Sequence, residues 1–253
     1  MFRPRVIPML LLKGQGLVKS KKFTNYQYIG DPINAVKIFN DLKADELVFL
    51  DILASKENRA ISLDFVRNVG DEANMPFAVG GGIRTLKNIK NILGAGSEKV
   101  IINTYAVENP DFIKQASDSF GSSTIIVSID VKKKLFGKYE IYTHGGTRAT
   151  GLEPVLFANL IAKNGAGEII INSINNDGVM LGYDLKIIEQ LSKSVNIPVV
   201  AAGGAGTLDD FLKAIEVFAS AVAAGSMFVY HGARKAVLIN YPSQNELNEL
   251  LIR

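Results

Sequence analysis

Apolar runs of four to seven residues alternate along this 253-residue chain with longer stretches in which apolar positions recur every three or four residues. The first pattern is how strands buried on both faces read, and the second is how their covering helices read. Eight such pairs are predicted. The strands fall at Arg5–Leu11, Glu46–Asp51, Phe77–Val79, Lys99–Ile102, Ile125–Asp130, Glu168–Asn172, Val199–Ala201 and Ala221–Ala224. The helices are expected to begin near Pro32, Ser62, Leu86, Pro110, Glu153, Leu185, Leu208 and Ala233. Asp31-Pro32 and Asn109-Pro110 each set a capping side chain before a proline at the first helical position, and Thr85 and Thr207 are further candidate caps. Eight strand–helix pairs in a chain of this length predict an α/β fold, a (βα)8 TIM barrel. A doubly wound dinucleotide-binding sheet would need a glycine-rich loop after the first strand, and Lys13-Gly-Gln-Gly-Leu-Val-Lys fits that fingerprint poorly.

The pattern also repeats. Gly80-Gly-Gly-Ile-Arg-Thr-Leu returns 122 residues later as Ala202-Gly-Gly-Ala-Gly-Thr-Leu. At that offset Pro76 falls on Pro198, Gly81 on Gly203, Gly82 on Gly204 and Val100 on Val222, while Glu46-Leu-Val-Phe falls on Glu168-Ile-Ile-Ile. A period this long is neither a solenoid unit nor a propeller blade, and implies one barrel domain built from half-barrels of about 1–122 and 123–253.

Composition narrows the chemistry. The 28 basic and 25 acidic residues are dispersed, and a net charge of +3 gives no reason to expect nucleic acid or a membrane as partner. Lys19, Lys21 and Lys22, and Lys132 to Lys134, read as solvated loops or as contacts for an anion, the first group being better placed because it follows the first strand. Cysteine is absent, and His144 and His231 have no acidic partner at ligand spacing, so no metal or other cofactor is expected. The apolar start, Met1 to Leu12, is too short to span a bilayer and lacks a cleavage pattern, so the expectation is a cytoplasmic protein.

In such a barrel chemistry sits where the strands end. Those ends carry Leu11, Asp51, Gly80 to Gly82, Asn103, Asp130, Asn172, Asp177, Gly203, Gly204, Gly225 and Ser226. The glycines after strands three and seven either close tight turns or form two phosphate cradles. In the second reading they let backbone N–H groups approach an anion at a helix start. Asn103-Thr104 and Gly225-Ser226 are repeat-equivalent and would add polar donors to each cradle.

Asp45-Glu-Leu-Val-Phe-Leu-Asp-Ile, Phe77-Ala-Val-Gly-Gly-Gly-Ile-Arg, Ile102-Asn-Thr-Tyr-Ala-Val-Glu-Asn-Pro, Gly165-Ala-Gly-Glu-Ile, Asn176-Asp-Gly, Gly182-Tyr-Asp and Ala202-Gly-Gly-Ala-Gly together resemble the cyclase subunit of imidazole glycerol phosphate synthase. The resemblance covers essentially the whole chain and is indistinct only beyond Tyr230. It implies a heterodimer with a glutaminase subunit, ammonia passing along the barrel axis, and a bisphosphorylated ribosyl-aminoimidazole as substrate. Products would be imidazole glycerol phosphate and an aminoimidazole carboxamide ribotide. It also implies an ammonia gate of four charges, matched here by Arg5, Glu46, Lys99 and Glu168; taken alone, such a ring reads as stabilisation of the barrel bottom.

The same resemblance implies an acid and a base on two aspartates, at the ends of strands one and five. Asp130 matches the second. Leu11 stands where the family has the first, and leucine neither transfers a proton nor accepts a hydrogen bond. Losing one member of an acid/base pair costs about 10² or more in rate, roughly 3 kcal/mol of barrier. Asn172 replaces the family's usual Thr and Ala202 its usual Ser. The expectation is therefore a diverged paralogue that keeps ammonia entry, alongside a sugar-amidating enzyme acting on acetamido sugars for surface polysaccharides. The alternatives are a competent cyclase of histidine biosynthesis, with Asp51 or Asp177 covering the lost role, and a phosphoribosyl isomerase-like barrel.

Overall fold

A computed structural model describes residues 3–232 and 236–252. Among them, eight parallel strands close on themselves: β1 (Arg5–Lys13), β2 (Leu47–Asp51), β3 (Phe77–Gly80), β4 (Lys99–Ile102), β5 (Ile125–Lys133), β6 (Glu168–Ser173), β7 (Val199–Ala202) and β8 (Ala221–Ala224). Each pairs with the next, and Arg5 on β1 lies opposite Ala221 on β8, which completes the (βα)8 barrel. Helices Pro32–Asp41, Leu63–Glu72, Leu86–Gly94, Asp111–Phe120, Pro154–Lys163, Leu185–Ser194, Leu208–Glu216 and Gln244–Leu251 cover it.

Period-two alternation sorts each strand's apolar residues into two cores. On β1, Val6, Leu10 and Leu12 face outward into the shell beneath the helices, with Phe39, Phe49, Ile92, Ile113 and Phe211. Ile7 and Met9 face inward, where they meet Val48, Ala78, Ile101, Ile126, Ile170 and Val200 along the barrel axis. Leu11 continues the inward row and lines the cavity at the top.

Local chemistry starts the helices largely as expected. The Asp31 side chain accepts from Asn34 N–H at 2.9 Å, with Pro32 at the first turn, and Thr85 accepts from Asn88 N–H at 3.0 Å. Asn109 does not cap: Pro110 takes the cap position, and the Asn109 amide donates instead to the Tyr105 hydroxyl at 3.4 Å. The eighth helix begins at Gln244, capped by Ser243, while Ala233 lies outside the described residues.

Two hairpins replace expected loops. β1 runs on to Lys13 and pairs antiparallel with Gly16–Lys21, which pairs with Thr24–Gly30. β5 likewise runs on to Lys133 and pairs with Tyr139–Thr143, followed by Arg148–Ala149. The outer segments Thr24–Gly30 and Arg148–Ala149 are mostly exposed, and the inner ones carry polar residues such as Lys19, Ser20 and Glu140, so none of them reads as a buried apolar strand. Each half thus carries a hairpin on its first strand. Two short helical turns, Thr104–Glu108 and Ser226–Phe228, sit at equivalent places after β4 and β8.

Candidate active site

At the strands' N-terminal end, Arg5, Glu46, Lys99 and Glu168 form a closed ring of alternating charge. The Arg5 guanidinium bonds both Glu46 and Glu168. Lys99 Nζ lies 3.0 Å from Glu46 Oε1 and 3.6 Å from Glu168 Oε2. Both carboxylates are buried, at 2% and 6% exposure. Burial opposes the charge on Arg5, yet Glu168 and Glu46 together hold its pKa above the ordinary value. The inward parity of four strand starts puts these side chains on the axis, and every charge in the ring has an opposite neighbour.

At the other end the strands open into a cavity of about 1310 Å³, counting space open to solvent. Leu11, Lys19, Asp51, Gly81, Gly82, Asn103, Thr104, Asp130, Asn172, Asp177, Gly203, Gly204, Gly225 and Ser226 all line it, so the sequence-derived candidates converge on one mouth. Ala202 does not line the cavity and packs in the axial core. The cavity descends past Leu11 to Met9, Ile101, Ser128 and Ala223.

Asp130 is the central ionisable group. It is 7% exposed, and its two oxygens accept from Asn103 Nδ2 at 2.9 Å and Asn172 Nδ2 at 3.3 Å. Burial pushes its pKa up to about 7, against the opposing pull of the two amides and with a further upward push from the Asp177 charge. Across the barrel, four strands away on β1, Leu11 offers no counterpart.

Three neighbours complete the acid–base character. Lys19, 4% exposed, donates from Nζ to the Met9 carbonyl at 2.6 Å, and burial lowers its pKa to about 8 while Asp177 opposes the fall. Asp177 is pushed up to about 6 by burial, with Lys19 and the Ser20 hydroxyl at 3.4 Å pulling down. The Tyr26 phenol is raised by burial and by the Asp177 and Asp130 charges. Asp51 is committed elsewhere: Arg59 holds it at 2.5 Å, and it accepts from Leu53 and Ala54 N–H at 3.0 and 3.2 Å.

Close approach explains the glycine loops. A Cβ on Gly82, whose φ is +62°, would overlap the Arg59 carbonyl, and one on Gly204, with φ +124°, would overlap the Gly182 carbonyl. Of the lysine clusters, Lys19 alone enters the mouth. Lys21 lines a side groove with Asn25, Gln27 and Tyr230, and Lys22 N–H donates to the Asp177 carbonyl at 2.9 Å. Lys132 donates to the Gly146 carbonyl at 2.9 Å, Lys133 lies over the Tyr139 ring and Lys134 pairs with Glu140, so these three brace their own hairpin. Tyr26, Lys56, Arg84 and His144 line the mouth although sequence patterning had not singled them out as site residues. Tyr26 comes from the hairpin strand Thr24–Gly30 and the other three from rim loops, and only closeness to the strand ends could have marked them. His231 is exposed in a separate short pairing with Ala236.

A closed (βα)8 barrel with glycine loops after β3 and β7 and a buried carboxylate ending β5 is built as a ligand-binding barrel, with its pocket at the strands' C-terminal ends. The chain belongs to the histidine biosynthesis protein family, whose model matches residues 5–234, and within it is of the HisF type. It is 45% identical over 249 residues to a Pseudomonas aeruginosa protein provisionally named imidazole glycerol phosphate synthase subunit hisF2, covering 98% of this chain and 99% of that one. It is also 45% identical over 254 residues to a Vibrio vulnificus protein provisionally named subunit hisF3 of the same synthase, covering 99% and 97%. An Alkaliphilus metalliredigens protein named imidazole glycerol phosphate synthase subunit HisF is 44% identical over 232 residues, covering 91% and 92%.

Proposed function

We propose that this barrel accepts ammonia from a partner glutaminase docked at its ring end and conducts it toward an acceptor other than the family's imidazole precursor. The acceptor is an acetamido sugar, amidated by a separate enzyme of surface polysaccharide synthesis in the cytoplasm. The observation that carries this reading is Leu11 standing across the mouth from Asp130. Ring closure on the bisphosphorylated substrate needs one group to give a proton and another to take it. Asp130, with its pKa near 7, suits one role, and Leu11 supplies nothing for the other. Asp51 does not fill the gap, because both its oxygens are already engaged. The ring supports retained ammonia entry: Arg5, Glu46, Lys99 and Glu168 keep all four charges.

A second reading, a competent cyclase of histidine biosynthesis, is favoured by one observation. Asp177 and Lys19 lie in the same mouth with pKa values near 6 and 8, so a proton partner for Asp130 exists without Leu11. An ammonia-dependent cyclase assay on the isolated chain with the ribosyl-aminoimidazole substrate separates the two. The proposal expects only a trace rate, raised by Leu11→Asp, and turnover at the family's usual level overturns it. Co-purification with a glutaminase is expected; failure to bind any glutaminase favours the phosphoribosyl isomerase-like reading, which has no use for the charged ring.

A further inference from the structure

A helix on the outside of a barrel hides one face against the strands and shows polar and charged residues on the other. Seven of the eight helices follow that rule, each exposing at least two charged side chains among the described residues. Pro154–Lys163 departs from it. Its inner face buries Pro154, Phe157, Ala158 and Ile161. Its outer face carries Leu156, 72% exposed, and Leu160, 43% exposed, with Asn159 between them and Leu152 at 41% just before the helix starts. Leu156 and Leu160 are one turn apart and stand on the same side. Single exposed leucines are ordinary, but a helix that is apolar all round is a helix covered all round.

Charge is confined to the two ends of this helix. Glu153 caps its start, accepting from Val155 and Leu156 N–H at 3.1 and 2.8 Å, and Lys163 is exposed at its last position. Residues 154–162 carry none. The helices before and after it in the barrel expose ion pairs instead, Lys114–Asp118 at 2.8 Å and Lys193–Glu189 at 2.6 Å. An uncharged centre between charged borders is the anatomy of a protein–protein contact. The order of the end charges selects the occupant. Ala158 is the midpoint both of Glu153 and Lys163 and of Leu156 and Leu160. An identical helix laid antiparallel about that midpoint sets Leu156 on the partner's Leu160 and Glu153 beside the partner's Lys163, and the two-fold axis makes each contact twice.

We propose that the chain forms a homodimer in which two copies meet antiparallel across Pro154–Lys163. A membrane or an unrelated protein could cover the leucines, but only a second copy is bound to present the opposite charge at each end. The apolar stripe is one helix wide, which places the contact at the small, weak end of specific interfaces. It lies on the flank of the barrel, so the charged ring and the mouth both stay open. The dimer is therefore independent of ammonia transfer and of any glutaminase.

The test is analytical ultracentrifugation of the full chain over a range of roughly 1 to 500 µM, which brackets a weak interface. The weight-average mass is expected to climb from 27.4 kDa toward twice that value. A mass that stays at 27.4 kDa throughout overturns the proposal. Leu156→Glu is expected to weaken the dimer at least about tenfold and to leave the urea midpoint unchanged, because the side chain it replaces is 72% exposed. A dimer that survives this change lies elsewhere on the surface and contradicts the assignment. Lys163→Glu sets a like charge beside the partner's Glu153 and is expected to weaken association about threefold. The absence of cysteine makes the register directly readable. Leu152→Cys mixed with Lys163→Cys and oxidised in air is expected to give the mixed disulfide dimer in at least about fivefold excess over either homodimer, because antiparallel pairing brings opposite ends within bonding reach. An excess of the homodimers overturns the antiparallel arrangement.

Discussion

The two ends of the barrel hold similar numbers of buried charges and treat them in opposite ways. In the ring, Arg5, Glu46, Lys99 and Glu168 neutralise one another around a closed circuit. In the mouth, Asp130 faces amides rather than a cation, Lys19 bonds a carbonyl, and Asp177 sits near Lys19 without forming a close ion pair. Burial with little opposing charge pushes the mouth groups to pKa values near 7, 8 and 6, where protons come and go. The difference separates a part of the molecule that holds charge fixed from a part able to move protons.

Breaking the ring gives the largest expected effect. Glu168→Leu leaves Arg5 and Lys99 sharing Glu46 alone, and removing one partner from a buried ionic circuit costs about 3–5 kcal/mol, measurable as a lower urea midpoint. Removing charge from the mouth acts the other way. Asp130→Asn is expected to stabilise the fold at pH 8 by about 2 kcal/mol. Holding the carboxylate ionised against a pKa near 7 costs about 4 kcal/mol, and part of the gain is lost because an amide satisfies only one of its two asparagine donors. The sign fixes the pH window. The folded state keeps the extra proton between the unfolded value of about 4 and the folded value of about 7, so Asp130's contribution to stability falls as pH rises across that interval. The advantage of Asp130→Asn should therefore vanish near pH 4 in parallel denaturation series.

Lys19 supplies a smaller effect with the opposite slope. Its folded pKa of about 8 lies below the unfolded value of about 10.4, so the unfolded chain holds more protons between them and stability rises with pH there. Lys19→Met should remove that slope, with a gain of about 1 kcal/mol at pH 7 after loss of the Met9 contact. The smallest effect sharpens the mouth itself. Leu11→Asp introduces a like charge across the cavity, and the Asp130 carboxyl carbon should then titrate above 7 by carbon NMR.

All eight barrel strands were legible because parallel strands buried on both faces leave short apolar runs, and the repeat counted them twice. The hairpins after β1 and β5 were not, since Thr24–Gly30 and Arg148–Ala149 are mostly exposed and carry no apolar pattern. Strand-end reasoning found Asp130, Asn103 and Asn172 separately, yet only the closed barrel brings both amides onto one carboxylate. Tyr26 reaches the mouth from the hairpin strand Thr24–Gly30, and Lys56 and His144 from rim loops, whose paths depend on tertiary packing rather than periodicity.

The inward residues Ile7, Val48, Ile101, Ile126, Ile170 and Val200 lie between the two charged ends. From Arg5 to Leu11 the strand rises about 20 Å, or about 16 Å along the axis at the usual tilt of such barrels. The middle of that distance works as a dielectric septum. A bare ion entering it loses its hydration at a cost of many kcal/mol, whereas a small neutral molecule loses little. The septum therefore disfavours the charged form of any small titratable molecule far more than its neutral form, and it keeps the fixed charges of the ring apart from the titrating groups Asp130, Asp177 and Lys19.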